Sequence, residues 1–178
     1  MDVGIVGLGR MGLGMGTRLV RRGHNVAGHD TSPTKQTQAE ANGIHWAATL
    51  RGLGSMPATP RIIIIMVPAG PPVDSVIDEL APTLSPEDIV IDGGNSFYKD
   101  SIRRAVHLRD LGLSFLDVGV SGGVWGLENG YCLMAGGDSE TYKTAEPVLA
   151  DLAQDGGLAH VGESGAGKSL TGAAIIGL

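Results

Sequence analysis

The chain has 178 residues, with 42% apolar and 18% charged side chains, which suits one domain large enough to bury a core. A formal net charge of −6 argues against broad binding to nucleic acid or anionic membrane, though a local basic pocket for a small anion stays open. Cys132 is the single cysteine, which excludes an intrachain disulfide and a cysteine-rich metal site. Met1-Asp2-Val3-Gly4 lacks a charged secretory leader, and the aliphatic run Ile62 to Val67 is too short for a bilayer, so the cytoplasm is the default expectation.

In chain order, Val3 to Val6 is predicted as a strand and Met11 to Arg22 as a helix with Met11, Met15, Leu19 and Val20 on one side. Val26 to His29 begins a second strand, Thr34 to Ala41 reads as helix, Ile44 to Trp46 as a short strand, and Gly52 to Pro60 as loop. Arg61 to Val67 is the strongest strand, because a continuous β-branched run fits a strand covered on both faces in a parallel sheet. Pro72 to Leu80 (helix), Ile89 to Ile91 (strand), Lys99 to Leu111 (helix), Ser114 to Val118 and Tyr131 to Ala135 (strands), Ser139 to Leu152 (helix) and His160-Val161 (strand) complete the pattern. Strands alternating with helices predict a doubly wound, mostly parallel α/β sheet of the Rossmann type in one domain. The twenty-nine glycines, without low complexity, point to tight turns and close backbone approaches.

Gly7-Leu8-Gly9-Arg10-Met11-Gly12 is G-x-G-x-x-G between an apolar strand and an amphipathic helix, the context in which it signals dinucleotide binding. Gly7 supplies the tight turn, Gly9 lets the backbone approach a pyrophosphate, and Gly12 lets helix and strand pack closely. Asp30 ends the second strand about twenty residues later, where a carboxylate accepts from ribose hydroxyls and repels a 2′-phosphate, favouring NAD over NADP. The alternatives are an Asp that only organises the turn into Thr31-Ser32-Pro33 and an Arg10 that is solvated rather than on the pyrophosphate.

Three further loops follow predicted strands: Val67-Pro68-Ala69-Gly70, Asp92-Gly93-Gly94-Asn95-Ser96, and Gly119 to Gly126. Each alone could be a strand-ending turn, but three on one carboxyl edge make a ligand site. Together with the glycine fingerprint and Val120-Ser121-Gly122-Gly123, these segments resemble decarboxylating 6-phosphogluconate dehydrogenase, from the first strand to about Gly167. Gly123-Val124-Trp125-Gly126-Leu127-Glu128 resembles the shorter, often NAD-preferring branch. The 3-hydroxyisobutyrate-type dehydrogenases share the fingerprint and the Ser-Gly-Gly loop but usually lack Gly-Gly-Asn. The resemblance implies that Gly7, Leu8, Gly9, Arg10, Met11, Gly12, Asp30, Thr31, Val67, Pro68 and Ala69 hold the dinucleotide. It further implies that Asn95 lies between nicotinamide and substrate, and that Ser121, Gly122 and Gly123 contact 6-phosphogluconate. In that family hydride leaves C3, the 3-keto acid loses CO2, and an enediol becomes ribulose 5-phosphate, which requires a base and an acid.

The same resemblance places the family's catalytic Lys at Thr171, its His at Ala174, its Asn at Ile175 and its acid near Leu178. The expected division is a dinucleotide-binding domain over 1–166 and the start of an interdomain helix over 167–178, without the all-helical domain through which the family forms homo-oligomers. Lys168, one helical turn before Thr171, is the substitute base to consider, against a solvated lysine near a helix start. Gly162 to Ser169 also matches G-x-x-x-x-G-K-[ST], the phosphate loop of nucleotide triphosphatases. Three readings compete: a 6-phosphogluconate dehydrogenase nucleotide-binding domain incompetent alone, a small enzyme using Lys168, and a P-loop NTPase. The last is disfavoured, because no later strand follows to supply a magnesium-binding Asp.

Overall fold

A computed structural model describes residues 1–56 and 60–169. Eight strands form one sheet: β1 (Asp2–Val6), β2 (Asn25–His29), β3 (His45–Trp46), β4 (Ile62–Ile65), β5 (Ile89–Asp92), β6 (Ser114–Ser121), β7 (Tyr131–Gly137) and β8 (Ala153–Gly162). The α-helices are α1 (Arg10–Arg21), α2 (Gln36–Ala41), α3 (Leu50–Leu53), α4 (Pro71–Leu80), α5 (Tyr98–Asp110), α6 (Gly126–Asn129) and α7 (Ser139–Leu152). The strand order is β3-β2-β1-β4-β5-β6-β7-β8. Every pairing is parallel except β6 with β7. The first six strands therefore have doubly wound order, reversing direction between β1 and β4, and a crevice opens beyond the carboxyl ends at that point.

Periodicity explains the layers. Ile62 and Ile64 face the core under α1 and α7, while Ile63 and Ile65 face the opposite side, against α3 and α4. All four are buried, so the continuous run is covered on both faces. On α1, Met15 and Leu19 enter the first core with Val3, Ile5 and Leu8. The helix α7 begins where expected because the Asp138 carboxylate accepts from the backbone N–H of Glu140 and Thr141.

Three expectations need correction. The segment Gly52 to Pro60 is not wholly loop, since Gly52 and Leu53 finish α3, whose start is capped by Thr49 Oγ1 accepting from Gly52 N–H. The last strand is not two residues but ten, because Asp155-Gly156-Gly157 gives no hydrophobic alternation yet is carried along β7 through a register shift. The strand β6 continues past Val118 to Ser121, and a 3-10 turn at Gly123–Trp125 with α6 follows it. Among the described residues, no helix is long and apolar enough to cross a membrane.

Candidate functional site: a crevice at the carboxyl edge of the sheet

The glycine turn is shaped as its spacing requires. Gly7 has φ of +91°, and a Cβ there would sit 2.7 Å from the Met66 carbonyl oxygen. A Cβ on Gly12 would collide with the Gly7 carbonyl oxygen, so helix and turn meet only without a side chain. At Gly9 a Cβ would meet no protein atom within 4 Å, because that position faces open space. Gly9 is also the N-cap of α1, with no side-chain cap and no acidic residue in the first turn. The N–H groups and positive dipole end of α1 are thus left for an exogenous anion, which fits a pyrophosphate.

Asp30 lies beside this turn. Its Oδ2 accepts from Leu8 N–H at 2.8 Å and its Oδ1 from Ser32 N–H at 2.8 Å. The carboxylate therefore organises both the glycine loop and its own turn, and Asp30 is among the residues that line a cavity of about 240 Å³, with Gly7, Gly9, His29, Thr31, Val67 and Pro68. That cavity shares Gly9, Met66, Val67 and Pro68 with a larger one of about 510 Å³. The larger cavity collects Gly9, Arg10, Met11 and Gly12, then Val67, Pro68 and Ala69, and finally Asn95 and Lys168. Gly93, Gly94, Gly119 and Val120 complete its wall.

Not every expected residue points there. The Leu8 side chain is fully buried in the core, so only its backbone faces the turn. Ser121 and Gly122 are exposed at the end of β6. Gly123 lines a neighbouring hollow of about 420 Å³ behind α1, which shares Gly9 and Arg10 with the crevice.

Lys168 departs most from expectation. The solvated reading is wrong: Lys168 is 7% exposed, and its Nζ donates to the Gly94 and Val118 carbonyls, the latter at 2.7 Å. Nζ also stands 3.8 Å from Asp92 Oδ1. Burial pushes its pKa below the ordinary lysine value, opposed by the Asp92 and Asp117 carboxylates. The surrounding P-loop-like turn already holds an anion of its own. Asp117 is fully buried and accepts from Gly165 N–H at 2.6 Å and Lys168 N–H at 3.0 Å. Burial raises its pKa, although those two N–H groups favour the ionised form. Two amides of the turn are spent on Asp117, those of Ala166 and Ser169 on backbone carbonyls, and the lysine amine on two carbonyls, which disfavours this turn as a triphosphate cradle. Among the described residues no cluster of His, Cys, Asp or Glu forms a candidate metal site.

Beneath the crevice lie groups that sequence reasoning passed over. Arg104, on α5 and 1% exposed, donates from Nε to Asp74 at 2.8 Å, from Nη1 to Asp92 at 3.3 Å and from Nη2 to the Gly70 carbonyl at 3.1 Å. Asp92 Oδ1 in turn accepts from Gly94 N–H at 3.1 Å. The only sequence signal for this arrangement is an Asp at the end of an otherwise aliphatic strand, which demands a buried partner.

Strand order, an uncapped glycine-led helix start and a crevice at the reversal point define a dinucleotide-binding α/β domain. Residues 2–162 match the family described as the NAD binding domain of 6-phosphogluconate dehydrogenase. The chain belongs to that family and carries this NAD-binding domain. A Bacillus subtilis (strain 168) protein, YqeC, provisionally named a 6-phosphogluconate dehydrogenase, is 39% identical over 170 residues, covering 96% of this chain and 57% of its own length. The NAD(+)-dependent, decarboxylating 6-phosphogluconate dehydrogenase of Haloferax volcanii is 38% identical over 168 residues, covering 94% of this chain and 55% of the relative. Among solved structures, the 3-hydroxyisobutyrate dehydrogenase of Mycobacterium tuberculosis superposes with a TM-score of 0.88 at 31% identity, over 95% of this chain and 57% of that one. The chain thus spans little more than half the length of these relatives.

Proposed function

We propose that the chain binds NAD across this crevice as the nucleotide-binding part of a decarboxylating 6-phosphogluconate dehydrogenase. The observation that supports the reading is that two cavities share Gly9, Met66, Val67 and Pro68, with Asp30 and Thr31 lining one and Asn95 lining the other. In this reading Asp30 takes the adenosine ribose hydroxyls, and its charge, with Thr31 rather than Arg beside it, selects NAD over NADP. The N-terminus of α1, with Arg10, neutralises the pyrophosphate. Val67, Pro68 and Ala69 wall the nicotinamide side, and Asn95, exposed on its loop, offers an amide donor and acceptor to nicotinamide and substrate. Ser121, Gly122 and Gly123 complete the substrate side. The bound nicotinamide ring would supply the hydride acceptor for oxidation of the sugar acid.

The division into a dinucleotide-binding domain over 1–166 and the beginning of an interdomain helix over 167–178 belongs to the same proposal. Residues 170–178, including Thr171, Ala174, Ile175 and Leu178, lie outside the described residues. Thr171 cannot act as an amine base, and the Lys168 amine is engaged with Gly94, Val118 and Asp92. We therefore propose dinucleotide binding without turnover of 6-phosphogluconate by this chain alone.

Titration with NAD, NADP and ATP tests the reading. Binding of NAD more tightly than NADP, no measurable ATP affinity and no NADH formed with 6-phosphogluconate are the expected results. Tight ATP binding without dinucleotide binding would overturn it, and NADH formation with 3-hydroxyisobutyrate instead would reassign the substrate class.

A further inference from the structure

Three loops wall the crevice, and each is tied by a buried cation: Lys168, which lines the cavity, and Arg104, which is not among its lining residues. Gly70 closes the Val67–Gly70 loop, and its carbonyl accepts from Arg104 Nη2. Gly94 precedes Asn95, and both of its backbone polar groups are held: N–H on Asp92 Oδ1, carbonyl on Lys168 Nζ. Val118, just before Gly119 and Val120, gives its carbonyl to the same Nζ. Asp92 joins the two cations, with Arg104 on Oδ2 and Lys168 near Oδ1. Asp92 and Asp117 are side by side in the β5–β6 register, so Asp117 anchors the Lys168 backbone within the same layer. Asp74, on α4 and partly exposed, accepts from the remaining Arg104 nitrogen, Nε.

We propose that Arg104 is a positioning residue for the nicotinamide end of the crevice, setting the spacing between the Val67–Gly70 and Gly93–Asn95 loops without touching the ligand. This rests on the reading of the crevice as a dinucleotide site. A planar guanidinium is required because three acceptors lie around it in different directions, two carboxylates and one carbonyl, and an ammonium cannot serve them in that fixed geometry. Neighbouring Arg103 offers a contrast, since it is 55% exposed and reaches the surface carboxylates Asp74 and Asp100. A surface pair of that kind contributes little to the geometry of a buried loop.

The test compares NAD with ADP-ribose, which carries the adenosine and pyrophosphate but lacks nicotinamide. Both ligands are titrated calorimetrically against the full chain and the variants Arg104→Lys, Asp74→Asn and Arg103→Met. Arg104→Lys keeps a cation beside Asp92 and so avoids leaving a buried carboxylate unpaired. We expect Arg104→Lys to weaken NAD by about tenfold or more while ADP-ribose changes by less than about twofold. Asp74→Asn should show the same split in smaller degree, and Arg103→Met neither effect. Equal weakening of both ligands would mean general loss of structure and would overturn the positioning role, as would unchanged NAD affinity in Arg104→Lys. Failure of the unmodified chain to bind NAD would instead count against the dinucleotide reading itself.

Discussion

Gly9 and Gly12 are chemically identical and three residues apart, yet their surroundings assign them different work. A Cβ at Gly9 would enter open space, whereas one at Gly12 would enter the Gly7 carbonyl oxygen and approach Ile5. Gly9→Ala should therefore leave thermal unfolding within about 2 °C of the parent while weakening NAD at least about tenfold, because the methyl occupies ligand space. Gly12→Ala should destabilise the fold by about 1–3 kcal/mol, as overpacking does, which denaturant unfolding would read. Asp30 combines both kinds of work. Asp30→Ala removes the acceptor for the Leu8 and Ser32 N–H groups, with an expected cost of about 1–3 kcal/mol, and should also erase the preference for NAD over NADP in parallel titrations. The glycine spacing and the Asp were both legible in the sequence, since each answers a local steric or charge requirement. The second duty of Asp30 was visible only as an alternative, because sequence does not say which N–H groups its oxygens meet.

Between elements, buried charge fixes how neighbouring strands begin. Arg61 precedes β4 and Asp88 precedes β5; both are nearly inaccessible, and the Asp88 carboxylate takes the Arg61 guanidinium together with the backbone N–H of Arg61 and Ser85. Burial alone would raise the Asp88 pKa, but these hydrogen bonds outweigh it and hold the group below its ordinary value of 3.8. A carboxylate with a depressed folded pKa contributes stability that is fully present above its unfolded value. That stability is lost as pH falls from about 3.8 through the folded value. Acid unfolding of Asp88→Asn, followed by circular dichroism, should show a shallower loss below pH 4 than the parent. At neutral pH that variant should be less stable by about 3–5 kcal/mol, because Arg61 is left buried without a counter-charge. The type of the longer elements was readable from periodicity, down to the start of α7 at Ser139, whereas the single-turn helices α3 and α6 were not. The ten-residue β8 was not, because a glycine-rich edge strand is specified by its partner β7 rather than by its own side chains.

Across the whole molecule, the turn that follows β8 returns to the sheet, and its Lys168 lines the crevice. Lys168 reaches from the turn that follows β8 to β6 and to the Gly94 loop, and its amine is held below the ordinary lysine value chiefly by burial. A cation with a depressed folded pKa binds its proton less well folded than unfolded. Stability should accordingly rise with pH between the folded value and the unfolded value of 10.5. Lys168→Met should abolish that alkaline rise in chemical-denaturation profiles. The same variant should weaken NAD, since the Gly94 carbonyl beside Asn95 loses its donor; unchanged profiles would show that the amine is not buried as described.

The sequence by itself determined the alternating strands and helices, the both-faces burial of Ile62 to Ile65, and the glycine-led turn with its acidic partner. Those features follow from side-chain period and backbone sterics acting over a few residues. Tertiary structure alone decided what Lys168, Asp117 and Arg104 do. The partners of Lys168 lie 50, 51 and 74 positions away, and those of Arg104 as many as 34, distances over which no local pattern carries information. A motif that spells a phosphate loop becomes a closed turn because a buried carboxylate from β6 reaches its amides first.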